Sequence, residues 1–302
     1  MVVNSSTLPA RTFGSVAVAM VTPFHVDGSL DLESAAKVAA KLVADGCDSL
    51  VISGTTGEAP TTHQPEKDDL VVTVKETVGD KAFIVAGASS NDTAHAVRMA
   101  VSAQKSGAQG LLVVSPYYNR PSQEGLYRHV MAIVEATDLP IMLYDIPGRT
   151  GLAFGDETLD RLAEHPRILA VKDATGDVPQ GFERMNRTGM AYYSGDDGLN
   201  FAWLAHGASG VVSVVGHVVA SAYAEMVDEV DRGDLVGARR VANKTRKIVQ
   251  AIMGGGQGAV MVKHALHLMG VIETPTVRLP LAPASEDEIK QLQAVLEEYE
   301  LL

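Results

Sequence analysis

The chain has 302 residues, of which 46% are hydrophobic and 21% charged, so the composition predicts a large core and little disorder. Its formal net charge of -12 argues against nucleic acid or an anionic membrane as a partner, because both are bound through basic patches. An apolar stretch of about 18 residues is needed to cross a bilayer, and we find none in the sequence. The single cysteine, Cys47, cannot form a disulfide within the chain, which favours a reducing cytoplasm.

The first 13 residues lack a basic region followed by an apolar core, so we interpret them as a loose arm and not as a signal peptide. After this arm, short apolar strands alternate with helical periodicity. Predicted strands cover residues 15–20, 48–53, 82–87, 109–115, 141–145, 168–172, 191–194 and 209–215. Predicted helices cover residues 31–46, 63–78, 92–106, 122–136 and 156–164, with another ending near Leu204.

Eight strand-helix units with strands apolar on both faces favour a closed parallel (β/α)8 TIM barrel of the α/β class. An open doubly wound sheet is disfavoured, because no G-x-G-x-x-G follows the first strand. We therefore predict a barrel with its N-terminal arm over residues 1–233 and a C-terminal helical domain over 234–302. Its helices are predicted at 235–252, 259–269 and 285–300, and the glycine-rich residues 254–258 are interpreted as an interhelical loop.

A lysine, Lys172, ends the sixth apolar strand. Burial disfavours a charged amine and lowers its pKa, which makes the amine nucleophilic and a candidate Schiff-base former. The same pattern also fits a lysine that marks where the strand reaches water. Because barrel enzymes carry their chemistry at the C-terminal ends of the strands, the neighbouring strand ends discriminate between the two interpretations.

Hydroxyl, phenol and guanidinium groups follow several of these strands. The loop at residues 54–58 has two hydroxyls between glycines, which fits either a small-carboxylate site or an ordinary turn. Tyr144 ends strand five and can pass protons, and Arg149 follows it and suits a carboxylate. Tyr117 and Tyr118 fit either interface packing or a site.

Three other features favour structural interpretations. Residues 194–197 are interpreted as a turn with a helix N-cap. The nine histidines and one cysteine show no zinc-like spacing, so we expect no metal. His264 and His267 are three apart on a helix outside the barrel, and we expect both at the surface or at an interface.

Six motifs spread over nearly the whole chain resemble the class I, Schiff-base pyruvate aldolase and lyase family typified by N-acetylneuraminate lyase. They are VTPF at 21–24, GTTGE at 54–58, PYYNRPSQEG at 116–125, YDIPGRTG at 144–151, VKDATG at 171–176 and SGDD at 194–197. Arg149, and the Thr55-Thr56 pair where sialic acid lyases usually carry Ser-Thr, favour the branch that serves lysine biosynthesis.

The resemblance implies a reaction without a cofactor. Lys172 would form an imine with pyruvate, and the derived enamine would attack L-aspartate 4-semialdehyde to give 4-hydroxy-tetrahydrodipicolinate. Tyr144, Thr55 and Tyr118 would form a proton relay, in which Tyr118 reaches into the site of a neighbouring subunit.

Substrate binding and assembly are implied by the same resemblance. Thr56 would hold the pyruvate carboxylate, Arg149 would hold the semialdehyde carboxylate, and Gly195 and Val212 would turn backbone carbonyls toward the imine or ring. The expected assembly is a homotetramer built as a dimer of tight dimers.

One departure from the family concerns a cleft at which L-lysine inhibits some members. Those members carry small polar, histidine and glutamate residues there. The matching positions in this chain are Ala59, Pro60, Gln64, Lys67 and His95, with Asn91 and Tyr117 retained. A cation at Lys67 and the loss of an acid at His95 disfavour an ammonium ligand, so we predict that lysine inhibition is weak or absent.

Two alternatives remain open from the sequence. One is another pyruvate aldolase of this barrel, such as one that cleaves a 2-keto-3-deoxy sugar acid. Arg149 argues against this alternative, although specificity within the family can depend on few residues. The other is a noncatalytic ligand sensor on the same fold, because fold does not determine function.

Overall fold

The computed structural model describes residues 10–255 and 257–302. Eight parallel strands close into a barrel in sequential order, which confirms the predicted α/β class and (β/α)8 architecture. The first nine residues of the predicted arm, and Gly256 of the glycine-rich loop, lie outside the described residues. The strands are β1 (Val16–Ala19), β2 (Ser49–Ile52), β3 (Phe83–Gly87), β4 (Gly110–Val114), β5 (Ile141–Asp145), β6 (Ile168–Asp173), β7 (Ala191–Ser194) and β8 (Gly210–Ser213).

Helices follow each strand and continue beyond the barrel. The barrel helices are α1 (Leu32–Ala44), α2 (Gln64–Val78), α3 (Thr93–Lys105), α4 (Gln123–Glu135), α5 (Pro147–Thr150), α6 (Asp156–Ala163), α7 (Val178–Thr188), α8 (Asn200–Ala205) and α9 (Gly216–Asp231). The C-terminal helices are α10 (Leu235–Met253), α11 (Gly258–Leu268) and α12 (Glu286–Glu298). No prediction was made for α5, α7 or α9.

The lumen of the barrel is filled by inward-facing side chains. They form one buried cluster that comprises Phe13, Ala17, Ala19, Val51, Val85, Leu112, Met142, Tyr144, Ala170, Tyr193 and Val212. Phe13 precedes β1 and makes edge-to-face contacts with Phe83 and Tyr193, at centroid separations of 5.7 and 6.4 Å. The N-terminal end of the lumen is thus packed with aromatic rings, as expected of a barrel whose interior is a core and not a pore.

The C-terminal helices are attached to the barrel by packing and by polar contacts. Helix α10 packs against α9 and α12, and α11 packs against α9 and α12. The Arg278 guanidinium donates to both carboxylate oxygens of Glu66 on α2. A domain boundary at residue 233 stays a prediction. Within the residues described, no helix is both long and apolar enough to span a membrane.

A buried histidine ties β1 to the β8–α9 junction. The side chain of His217 is completely buried, its Nε2 accepts the Val21 N–H at 3.1 Å, and its Nδ1 lies 2.7 Å from the Val214 carbonyl oxygen. Because Nε2 accepts, the proton of the neutral ring belongs on Nδ1. Burial lowers the pKa of His217 to about 4, and the charge of Lys41 acts in the same direction.

We predict that His217 weakens the fold as the pH falls from about 6.5 to about 4. In this window the unfolded histidine binds a proton and the folded one does not, so up to about 3 kcal/mol of unfolding free energy is lost. Urea unfolding of the wild type and of His217→Gln, whose amide can replace both hydrogen bonds, isolates this contribution from the titrating carboxylates. Equal pH slopes for the two proteins in this window would contradict the prediction.

Candidate active site

Lys172 lies at the carboxyl end of β6 and is only 4% exposed. The strand register places it beside Tyr144 of β5 and Tyr193 of β7. Its Nζ is 4.3 Å from the centre of the Tyr144 ring. Strand β6 therefore places the Lys172 side chain inside the carboxyl end of the barrel and not in solvent.

Burial lowers the pKa of Lys172 to about 8, Asp197 opposes this shift, and Arg149 adds to it by like-charge repulsion. An amine with a pKa of about 8 is neutral in about one molecule in ten at pH 7, whereas at an ordinary lysine pKa the neutral fraction is several hundred-fold smaller. The environment of Lys172 thus produces the nucleophilic form of the amine near neutral pH.

Asp197 is the acidic group that acts on Lys172, and the sequence analysis missed this role. Asp196 is the cap that the turn predicts, since its side chain accepts the Gly198 N–H at 2.9 Å. Asp197 is instead buried, and its carboxylate accepts the N–H groups of Val214 and Val215 at 2.9 and 3.1 Å. The one sign of this role in the sequence is that the turn carries two acidic residues, whereas a helix N-cap requires a single one.

The loop at residues 54–58 follows β2 and presents two hydroxyls. Thr55 is exposed, and Thr56 is 6% exposed. The loop is attached to the segment that follows β1, because the Thr22 hydroxyl donates to the Gly57 carbonyl at 2.7 Å. At its end, Glu58 has a φ of 55°, in the left-handed region that non-glycine residues rarely adopt. Backbone strain of this kind is common at binding sites.

Tyr144 connects the loop to the lysine. Burial raises the pKa of Tyr144 to about 12, while Arg149 and a hydrogen bond with the Thr55 hydroxyl act in the opposite direction. The phenol therefore keeps its proton at neutral pH and faces a hydroxyl that can exchange it. An amine, a phenol and an alcohol are therefore neighbours in space, in the order Lys172, Tyr144 and Thr55.

A cavity of about 410 Å³ opens beside this group and is lined by Thr55, Tyr144 and Arg149. Lys67 and two histidines also line it, and its lining residues in the described part of the chain include no aspartate or glutamate. In a chain of net charge -12, such a cavity favours carboxylate ligands. Lys172 is not one of the lining residues and lies behind the Tyr144 ring.

Gly195 lies close to Lys172, and Val212 lies in the lumen, whereas Tyr118 is exposed. A Cβ on Gly195 would be 3.0 Å from Cγ of Lys172 and 2.9 Å from the Asp173 carbonyl oxygen. Val212 belongs to the lumenal cluster that includes Tyr144. Tyr118 is 90% exposed with a φ of 75°, so a single chain does not place it in the cavity.

We expected His264 and His267 at the surface or at an interface; His267 is exposed, but His264 is covered by its own chain. It is 6% exposed, and its Nε2 accepts the Ala284 N–H at 3.4 Å, because the segment before α12 covers this face of α11. Among the described residues, one group of three side chains could hold a metal ion, namely His25, Asp31 and Glu273. Asp31 in this group caps α1.

These observations define a (β/α)8-barrel enzyme whose reactive groups lie at the carboxyl ends of the strands. Residues 12–299 match the model of the dihydrodipicolinate synthetase family. The chain belongs to this family.

Similar proteins cover nearly the whole chain. A protein of Kineococcus radiotolerans named 4-hydroxy-tetrahydrodipicolinate synthase is 52% identical over 288 residues, which are 95% of this chain and 94% of that protein. The pyruvate complex of the chloride-inhibited dihydrodipicolinate synthase of Acinetobacter baumannii has a TM-score of 0.92 and 37% identity, covering 96% of this chain and 100% of that one. The lysine-bound enzyme of Cyanidioschyzon merolae has a TM-score of 0.91 and 38% identity, covering 96% and 99%.

We predict that Gly195→Ala lowers turnover strongly, by about 10-fold or more, because the new methyl group displaces the Lys172 side chain. Gly255→Ala is the matched control, since a Cβ there meets nothing within 4 Å. The measurement is steady-state turnover together with thermal unfolding of both variants. Wild-type turnover in Gly195→Ala would show that this contact does not position the lysine.

Proposed function

We propose that the chain condenses pyruvate with L-aspartate 4-semialdehyde to 4-hydroxy-tetrahydrodipicolinate, a step of lysine and diaminopimelate biosynthesis. The observation that carries the proposal is the buried Lys172 amine, with its pKa lowered to about 8, beside the Tyr144 ring. The name of the relative 52% identical to this chain, and the pyruvate complex of the Acinetobacter enzyme, support this reaction over cleavage of a 2-keto-3-deoxy sugar acid or a noncatalytic role.

Imine formation is the first step that we assign. The neutral Lys172 amine adds to the ketone carbon of pyruvate, and the oxygen leaves as water after it takes up two protons, one that comes from the amine nitrogen and one from an acid. Tyr144 keeps its proton at neutral pH, because burial raises its pKa to about 12, and its ring is in contact with the amine. It is therefore the donor we assign to the departing oxygen, and Thr55 is the next group along the relay.

Carbon–carbon bond formation follows from the imine. Loss of a methyl proton gives an enamine, whose carbon attacks the aldehyde of the second substrate. The amino group of that substrate then attacks the imine carbon, which closes the ring and returns the Lys172 amine. Each proton released is taken up in a later step, so a relay of Tyr144, Thr55 and the partner-directed Tyr118 needs no cofactor.

Four further residues bind the substrates in this proposal. Thr56 and the loop amides hold the pyruvate carboxylate, and Arg149, exposed at the cavity, holds the carboxylate of the semialdehyde. Gly195 lies against Lys172, close enough for its carbonyl to face the imine. Val212 packs in the lumen in the same cluster as Tyr144, and its backbone carbonyl is assigned to the imine or ring by the resemblance.

The assembly we propose is a homotetramer of two tight dimers in the cytoplasm. Its support within one chain is Tyr118, a 90% exposed aromatic side chain on a strained backbone with a φ of 75°. Such a side chain is stabilised when another subunit covers it. Tyr118 would then complete the relay of the neighbouring site.

Borohydride reduction in the presence of pyruvate tests the proposed function directly. We expect a stable mass adduct on the peptide that contains Lys172, because reduction converts the imine to a secondary amine. Lys172→Ala should give no adduct, and Lys67→Ala, which removes another amine of the cavity region, should retain it. An adduct on a different lysine, or none in the wild type, would refute the assignment.

Tyr144→Phe tests the relay. The ring that contacts Lys172 is kept and the proton-carrying oxygen is lost, so we expect turnover to fall about 100-fold or more. Thermal unfolding should change little, since the packing of the ring is preserved. Turnover close to that of the wild type would mean that Tyr144 carries no proton.

L-Lysine should inhibit weakly or not at all. Ala59, Pro60, Gln64, Lys67 and His95 all line the cavity, and the Lys67 amine is fixed by donating to the Ala59 carbonyl at 2.9 Å. This positive charge repels a ligand ammonium. The measurement is turnover against lysine concentration at low and saturating pyruvate. Strong inhibition by sub-millimolar lysine would overturn the prediction.

A further inference from the structure

A completely buried ion pair connects the proposed carboxylate loop to the C-terminal helices. Glu58, the last residue of the loop at 54–58, accepts a hydrogen bond from Lys263 of α11. The two side chains are 1% and 0% exposed. They are 205 residues apart in the sequence, and the mechanism above uses neither of them.

Both charges have their hydrogen-bonding partners within the protein. The Lys263 amine also donates to the Thr276 carbonyl at 2.8 Å and lies 4.2 Å from the centre of the Phe24 ring. The second carboxylate oxygen of Glu58 accepts the Arg278 N–H at 2.9 Å. A buried pair with every partner present holds a single geometry.

Stability alone does not explain such a pair. Burial lowers the pKa of Lys263 to about 8, against the attraction of Glu58, which shows that desolvation of the amine is costly. Apolar residues of similar volume often replace a buried ion pair with no loss of stability. An apolar pair would not fix the orientation of the side chain at position 58. In this chain the hydrogen bonds of the Glu58 carboxylate fix that orientation.

The direction of Glu58 matters because its backbone closes the loop. Its N–H donates to the Thr55 carbonyl at 3.1 Å, and its own carbonyl accepts the Thr62 hydroxyl at 2.8 Å. With a φ of 55°, this residue is strained and is held in place by its surroundings. Tethering its carboxylate therefore fixes the turn that presents Thr55 and Thr56.

The segment that follows α11 holds the same region from a second point. The Arg278 guanidinium donates to the Thr61 carbonyl at 2.7 Å, three residues beyond Glu58, and its Cζ lies 4.1 Å from the centre of the Phe24 ring. Lys263 and Arg278 thus both lie against the ring of Phe24, in the VTPF motif. Phe24 is itself completely buried.

We propose that Lys263, acting through Glu58 and supported by the Arg278 N–H, is a positioning residue for the binding of the keto-acid carboxylate by the loop at 54–58. This inference rests on the proposed function, in which that loop holds pyruvate. The C-terminal helices then contribute to substrate affinity, although none of their residues lines the cavity.

The test is the double variant Glu58→Gln/Lys263→Met, which removes both charges and keeps an acceptor for the Arg278 N–H. We expect it to fold with lower thermal stability, because the Thr276 carbonyl loses its donor, to raise the KM for pyruvate about 10-fold or more, and to leave kcat within about 3-fold. Lys247→Met, which breaks the exposed Lys247–Glu298 pair between α10 and α12, should leave both constants unchanged.

A second variant and a second measurement make the outcome decisive. If the double variant does not fold, Lys263→Met alone is used, because Glu58 keeps the Arg278 backbone N–H and can bind a proton in place of the lost cation. We expect this variant to raise the KM for pyruvate about 3-fold or more. Borohydride trapping over a range of pyruvate concentrations reports pyruvate binding without the aldehyde. Adduct formation in the wild type tests the proposed function, whereas the ratio of half-saturating pyruvate between variant and wild type tests the positioning role. A folded double variant with wild-type KM would overturn the inference.

Discussion

The structure depends on one constraint, which is that an amine must be buried at the end of a barrel strand and still be able to react. Burial lowers the pKa of Lys172 to about 8, and Asp197 limits the shift by favouring the charged form. The two effects leave the amine divided between a charged form and a neutral form, and the neutral form is the nucleophile. A strand end supplies this balance, because the side chain is covered by neighbouring strands while the loops leave room for a ligand.

The lumen, the loop after β2 and the C-terminal helices each contribute contacts around the site of this amine. At the N-terminal end of the barrel, Phe13 and Tyr193 fill the lumen. This packing separates the carboxyl ends of the strands from water on that side. The loop after β2 brings the Thr55 hydroxyl to the Tyr144 phenol, and its last residue, Glu58, accepts a hydrogen bond from Lys263 of α11. The C-terminal helices are thereby part of the site's support, and not only a covering of the barrel. Asp197 and the Glu58–Lys263 pair belong to a larger set of buried charged residues, which also includes Asp145, Asp173 and Arg184.

The sequence predicted those features that depend on local pattern. The strands were located to within two residues, since each is a short apolar run between turn residues, and the reactive strand ends followed from the topology. Helix α7 was missed because it has a proline as its second residue, contains a glycine and has few apolar residues. Asp197 and Lys263 were missed for a different reason: each acts on a residue distant in the chain, and no spacing reveals that pairing. His264 was misplaced because the packing of the segment before α12 on α11 is also a long-range contact.

The most direct test of this account is the titration of the Lys172 amine itself. Incorporation of lysine labelled with ¹³C at Cε lets NMR follow the chemical shift of each lysine with pH, and the spectrum of Lys172→Ala identifies the signal. The account predicts a pKa of about 8 for this amine. A pKa near 10.5, the ordinary value for lysine, would contradict the claim that burial activates it.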